Sequence, residues 1–429
     1  MKRLRVAVVL SLLAGCGERA ALVDIAVEAR GDSLCVWAWG DGERVFAETY
    51  AAEAGQERPA SGSLTFVAGA RVADEVRIGA RVLRGGAITG EARARVPFGD
   101  AAVQARLRVR RCAPSEGAPP IALAPIGALV AAAGAVAGDL DGDGADELSV
   151  IEAGALHVLA GGEREPRPLE GATAILAAGD LDADCALDLL VASEAGVRVL
   201  GAQGASLGEP IAPAAAGAGL GAFTASGGPE IALATAGGLA IVPLRGSPAT
   251  IEGTFDSIAT ADLDGDGFSD VVASGPSGTR YFLGGASGLR EVPAGLPPRV
   301  AGALGPVVLA DLDGDDRLDL AVADGTALRF AVDRGDGLLE ERGGASPIAL
   351  SAPIARLRAG DVDGDCRDEV IAIGADGAAL VARLEDGRPE VLEGAGPASI
   401  DAAVGDFDGD GARELAWITL GGEVLAWRP

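Results

Sequence analysis

One acidic pattern recurs along most of this chain, and it restricts the possible folds more than any other feature. "DLDGDGADELSV" begins at Asp139, and copies begin at Asp180, Asp262, Asp311, Asp361 and Asp406. Each copy has aspartates at positions 1, 3 and 5, an acid at position 9, and an apolar run after it. The gap from Asp180 to Asp262 is about twice the others. At its middle, "GAFTASGGPEIALAT" keeps the flanking pattern and Glu230 but has lost the aspartates. Seven units therefore follow one another with a period of roughly forty to fifty residues, each with several short β-rich runs. Glycine-rich segments this short do not make helix pairs. Four strands per unit predict the blades of a seven-bladed β-propeller.

The two ends of the repeat region agree with a closed ring. The last unit stops at "EVLAWRP" after its third strand, whereas "PPIALAPIGALV" at 119–130 supplies a strand that belongs to no unit. The segment near 119–125 is therefore expected to complete the last blade, which avoids leaving an open sheet edge. Ahead of it, 114–118 reads as a linker. Residues 16–113 alternate in β fashion and predict a small β-sandwich-like domain. The fold class is all-β throughout.

Carboxylates at positions 1, 3 and 5 of a tight loop converge on a point, and a hard cation with many oxygen ligands, usually Ca²⁺, fits there. In the first repeat the ligands would be Asp139, Asp141 and Asp143, the backbone carbonyl of Ala145, and Glu147 as the closing acid. An EF-hand closes at position 12 between two helices. Here position 12 is Val150, inside an apolar β run, so the loop joins two strands.

This pattern resembles the FG-GAP or VCBS repeat, the blade of the integrin alpha-chain type of β-propeller. The resemblance spans 119–429. It implies up to six Ca²⁺ sites in the loops between first and second strands, with a mainly structural role. Carried onto the other copies, the implied ligands are Asp180, Asp182, Asp184 and Asp188; then Asp262, Asp264, Asp266 and Asp270; then Asp311, Asp313, Asp315 and Asp319. Two sets follow: Asp361, Asp363, Asp365 and Glu369, and Asp406, Asp408, Asp410 and Glu414. The copies differ at position 6, where glycine tolerates positive φ: Asp316, Cys185 and Cys366 replace it in three of them. The third unit, at Ala222, is expected to bind no calcium.

The N-terminus carries basic residues and the apolar "VAVVLSLLAGC". It resembles a bacterial lipoprotein signal, with 1–15 removed and Cys16 lipidated. Gly17 after the cysteine favours the outer membrane or cell surface. Such an address permits disulfides. Cys35 and Cys112 bracket the first β domain and are expected to pair, leaving Cys185 and Cys366 as unpaired thiols.

Function is constrained by what is scarce. A net charge of −28 offers no basic surface for nucleic acid. One histidine, His157, sits in a strand-like run, and only two tyrosines are present. The chain reads as a lipid-anchored, calcium-binding module for a protein or glycan ligand, and not as an enzyme. The alternatives are a propeller lyase or hydrolase acting on polysaccharide, and a scaffold subunit of an envelope complex.

Overall fold

The computed structural model describes residues 4–5, 19–40, 43–52, 59–68, 75–97, 103–109, 121–128, 132–140, 145–159, 167–201, 205–211, 214–226, 228–244, 247–293, 295–335, 338–342, 348–392, 396–408 and 412–428. Cys16, Cys112, Asp141, Asp143 and Asp410 lie outside them, as does the linker 114–118. The described residues are all-β apart from one helical turn, Pro298–Ala301. They form two compact units. The first is Met1–Ala113 with Asp139–Ala145 and Gly179–Leu187; the second is Pro114–Gly138, Asp146–Ala178 and Asp188–Pro429.

Two four-stranded sheets make up the first unit. One contains Arg19–Val27 between Gly62–Ala68 and Val103–Val109, with Leu4–Arg5 at the edge. The other runs in the order Glu43–Ala51, Ser33–Gly40, Glu75–Arg84, Ala87–Pro97. Side chains alternate across a strand. Val23, Ile25 and Val27 from the first sheet accordingly share one apolar cluster with Val36, Ala38, Ile78, Ala80 and Val82 from the second.

The opposite face of the second sheet is covered as well. Cys35, Trp37 and Leu83 are buried there with Cys185. The Arg81 guanidinium lies 4.5 Å from the Trp37 ring, and Gly79 is required beneath it, because a Cβ there would come within 2.1 Å of the indole. Arg81, only 2% exposed, also pairs with Glu91 at 2.7 Å and approaches the buried Asp139 carboxylate at 3.9 Å. Tryptophan, arginine and acids on an outward face are the mark of a surface that receives a further layer of chain. Here the layer is the Gly179–Leu187 loop: Asp180 N donates to Gly86 O at 3.0 Å, and Thr49 Oγ1 to Ala183 O at 3.1 Å.

That layer corrects the cysteine expectation. Cys35 pairs with Cys185, across a sequence separation of 150 residues and at a Cα distance of 5.6 Å, and not with Cys112. Nor is Cys366 an unpaired thiol; it is disulfide-bonded. The expectation treated the second acidic loop as remote from residues 16–113. In the fold that loop packs on the Ser33–Gly40 strand, which brings Cys185 within disulfide range of Cys35.

Seven small sheets form the second unit among the described residues, each built on three consecutive antiparallel strands. Their second strands, from Glu147–Glu152 through Glu414–Thr419, are buried along nearly their whole length. This is why an apolar run follows each acidic motif: the strand has hydrogen-bonded neighbours on both sides and packed sheets on both faces. In the fifth sheet Leu320 and Val322 pack toward Val272 and Tyr281 of the fourth, while Ala321 and Ala323 pack toward Val370 and Ala372 of the sixth. Ala416, Ile418 and Val424 of the last sheet share a cluster with Leu148 and Val150 of the first. The outer position of the last sheet is taken by Ile121–Ala128, antiparallel to Glu423–Arg428. The first strands of all seven sheets line a single cavity of about 610 Å³.

Candidate metal centres in the repeat loops

Each acidic loop links the first strand of a sheet to the second, and its aspartates first serve the backbone. In the sixth repeat, Asp361 Oδ1 accepts from Gly364 N at 2.7 Å and Oδ2 from Cys366 N at 3.0 Å. Asp363 Oδ1 accepts from Asp365 N at 3.1 Å, and Asp365 Oδ1 from Arg367 N at 2.8 Å. The same ladder joins Asp180, Asp182 and Asp184 to the amides of Cys185, Asp184 and Ala186. It recurs at Asp262, Asp264 and Asp266. The aspartates at positions 3 and 5 each bond the amide two residues on, which makes two successive Asx turns, while the position-1 aspartate reaches across to the amide of position 6.

The turns require left-handed residues. Position 4 has φ of 64° at Ala183, 74° at Gly265, 81° at Gly314 and 77° at Gly364. At position 6, φ is 71° at Cys185, 65° at Asp316 and 69° at Cys366. For Ala183 and Cys185 this conformation costs about 1–2 kcal/mol each.

With the backbone so folded, side-chain oxygens converge. Ligand atoms lie within 4.8 Å of one another in Asp180/Asp182/Asp184, Asp262/Asp264/Asp270, Asp311/Asp313/Asp315 and Asp361/Asp363/Asp365. The structure thus assembles these predicted residues, with Asp270 in place of Asp266 in the fourth repeat. In the first loop Asp139 and Glu147 are buried and Ala145 follows the undescribed tip. In the seventh, Asp406 and Glu414 are buried and Asp408 is exposed. Asp188 is buried at the start of its strand.

The acid at position 9 has a role that motif spacing alone does not reveal. It clasps the loop by accepting the amide of position 2: Leu263 N to Asp270 at 2.7 Å, Leu312 N to Asp319 at 2.9 Å, Val362 N to Glu369 at 2.8 Å, Phe407 N to Glu414 at 2.9 Å. The other oxygen varies. Gly284 N and Asp333 N donate to those of Asp270 and Asp319 at 2.8 Å, and Arg428 meets that of Glu414 at 2.8 Å with both side chains buried. Glu369 Oε1 is buried without a partner, as is Asp180 Oδ1.

Electrostatics follow from this crowding. Burial, followed by the charges of Asp363, Asp361 and Asp365, pushes Glu369 up to about 9 against the Val362 amide. Burial likewise lifts Asp270 and Asp319 to about 7, and Asp180 and Asp361 to about 6. Glu414 rises to about 7 through burial despite the Arg428 cation. Buried, mutually repelling carboxylates with two unpaired oxygens fit a hard cation.

The third unit solves the same problem without acids at positions 1, 3 and 5. Thr224 donates from its amide to Glu230 Oε2 at 2.7 Å and from its hydroxyl to Oε1 at 2.6 Å. Thr224→Val leaves Oε1 of a buried carboxylate unpaired and is expected to cost about 1–3 kcal/mol. The loss should be the same in calcium and in chelator, as read by denaturant unfolding; a calcium-dependent loss would contradict a metal-free third loop.

These features define a class: a β-repeat protein of small antiparallel sheets, in which the described loops of the second, fourth, fifth and sixth sheets are carboxylate-rich Asx-turn loops. The FG-GAP-like repeat family matches residues 262–322 and 311–372, and this part of the chain is made of FG-GAP-like repeats. No curated protein matches it. Among solved structures, BBS1N in complex with ARL6DN is similar at 14% identity and a TM-score of 0.52, over 72% of this chain and 96% of that one. At that identity the likeness is one of fold. A lectin of Agrocybe aegerita that recognises non-reducing terminal N-acetylglucosamine aligns at 17% identity and a TM-score of 0.42, over 60% of this chain and 79% of that one.

Proposed function

We propose that this chain is a calcium-stabilised binding module: a seven-bladed propeller preceded by a β-sandwich-like domain, presenting a face to a protein or glycan ligand. The observation that carries the calcium reading is the recurrence of converging carboxylates, each set with one buried member, together with the unpaired buried oxygens Asp180 Oδ1 in the second loop and Glu369 Oε1 in the sixth. The ring is supported by the cavity that all seven first strands line and by the cluster joining the last sheet to the first. The strand Ile121–Ala128 completing the last sheet supports closure. Domain limits at 16–113 and 119–429 belong to the same reading.

Calcium here neutralises the loops and ties each first strand to its second. Its part is to hold the blades, and ligand contact falls to the rest of the surface. Export to an oxidising compartment is supported by two disulfide-bonded cysteines of the repeat loops, Cys185 and Cys366. Attachment through a lipid on Cys16, with placement at the outer membrane or cell surface, completes the proposal.

The test is a calcium titration of the full chain by calorimetry, paired with capture from envelope extracts in calcium and in chelator. Binding of several equivalents, fewer than seven, and a captured partner lost on chelation are expected. Absence of calcium binding would overturn the reading.

A further inference from the structure

The cavity ringed by the seven first strands is walled mostly by glycine, alanine and branched aliphatic residues, and its charged groups are few. Two of them stand on one strand, Ile354–Gly360. Arg356 and Arg358 are two residues apart, so they project from the same face, roughly 7 Å apart along the strand. Leu357 between them is buried on the other face, in the cluster shared by the fifth and sixth sheets.

The two guanidiniums are held differently. Arg358 is braced: it donates to Asp401 Oδ2 at 2.8 Å, to Ala402 O at 3.2 Å and to Leu357 O at 3.1 Å. Asp401 is 2% exposed and also accepts from Ala135 N at 3.1 Å, so the brace is rigid. Arg356 is exposed and has no partner among the described residues. One carboxylate, Asp256, lines the same cavity. Asp401 neutralises Arg358, so Arg356 is the cavity's one cation without an ion-pair partner among the described residues, in a chain of net charge −28.

A concave space of this volume with a few convergent polar groups has the form of a small-molecule site. Guanidinium pairs a carboxylate through two parallel hydrogen bonds. The geometry points to a site in this cavity for a carboxylate-bearing ligand of monosaccharide size, with Arg356 as the direct contact and Arg358 as the fixed second donor. The acidic-sugar class rests on the binding-module reading given above and narrows it.

The probe is glucuronic acid, titrated calorimetrically into the full chain in calcium, with glucose and inorganic sulfate as the other arms. Glucuronic acid is expected to bind and glucose not to. Arg356→Gln should weaken binding about tenfold or more, because a charge-assisted pair is lost. Its melting temperature should stay unchanged, since the side chain is exposed. Equal binding by native chain and variant, or by glucose, overturns the site, and sulfate competing as well as glucuronic acid overturns the carboxylate assignment. A chain that captures a calcium-dependent envelope partner yet ignores glucuronic acid loses the cavity site alone. One that binds neither calcium nor partner loses the binding-module reading as well.

Discussion

Removing calcium should lower the melting temperature of the protein, and by more at pH 9 than at pH 5. In the metal-free fold, protons do part of the work of the cation. Glu369 is raised to about 9, Asp270, Asp319 and Glu414 to about 7, and Asp180 and Asp361 to about 6. Folded-state values above the unfolded ones mean that the fold holds protons the unfolded chain releases, so stability falls as pH rises. The contribution is fully present below the ordinary carboxylate range. It is lost through pH 6–7 for the aspartates and Glu414, and near pH 9 for Glu369.

On the calcium reading proposed above, the bound cation should replace those protons and flatten the profile. At ten times its dissociation constant each site adds about 1.4 kcal/mol. Several sites are then large against a total of about 5–15 kcal/mol. The measurement is thermal unfolding at pH 5, 7 and 9, in calcium and in chelator. Glu369→Gln should raise the chelator curve at pH 9 and narrow the gap there. Parallel curves, or a gap that shrinks as pH rises, would mean that these carboxylates carry no metal.

Replacing both Cys35 and Cys185 by serine should cost about 5 kcal/mol on the chain-entropy account, because the bridge closes a loop across a separation of 150 residues. The loss should be concentrated in the first unit, to which both cysteines belong. There the Gly179–Leu187 loop would be held only by weaker contacts such as Thr49 Oγ1 to Ala183 O. Cys185→Gly would recover part of the difference, since φ of 71° suits glycine. Non-reducing peptide mapping should find Cys35 linked to Cys185. A Cys35–Cys112 peptide, or a serine variant with the native melting temperature, would refute the assignment.

The loops were the most legible part of the chain because their conformation is set within about nine residues. An aspartate that bonds the amide two residues on, and a glycine that takes positive φ, need no distant partner; Asp361 to Cys366 shows the arrangement whole. The buried second strands were legible for a similar reason, since a strand packed on both faces is apolar along its middle, as Leu415, Ala416, Trp417 and Ile418 are between Glu414 and Thr419. The position-9 clasp was half legible. An acid stood there in every copy, but whether its second oxygen met Gly284, Asp333, Arg428 or nothing depends on a neighbouring strand.

By itself, then, the sequence determined the all-β class, the recurrence of the repeats and the local shape of their acidic turns, because periodicity and Asx-turn chemistry act over short stretches of chain. The tertiary structure alone decided which distant groups meet. Cys35 finds Cys185, Arg81 stacks on Trp37 beside Asp139, and Arg358 is braced by Asp401 while Arg356 is left free to face the cavity. Such pairings depend on where strands from far-apart segments are laid against one another, and no local pattern in the chain encodes that placement.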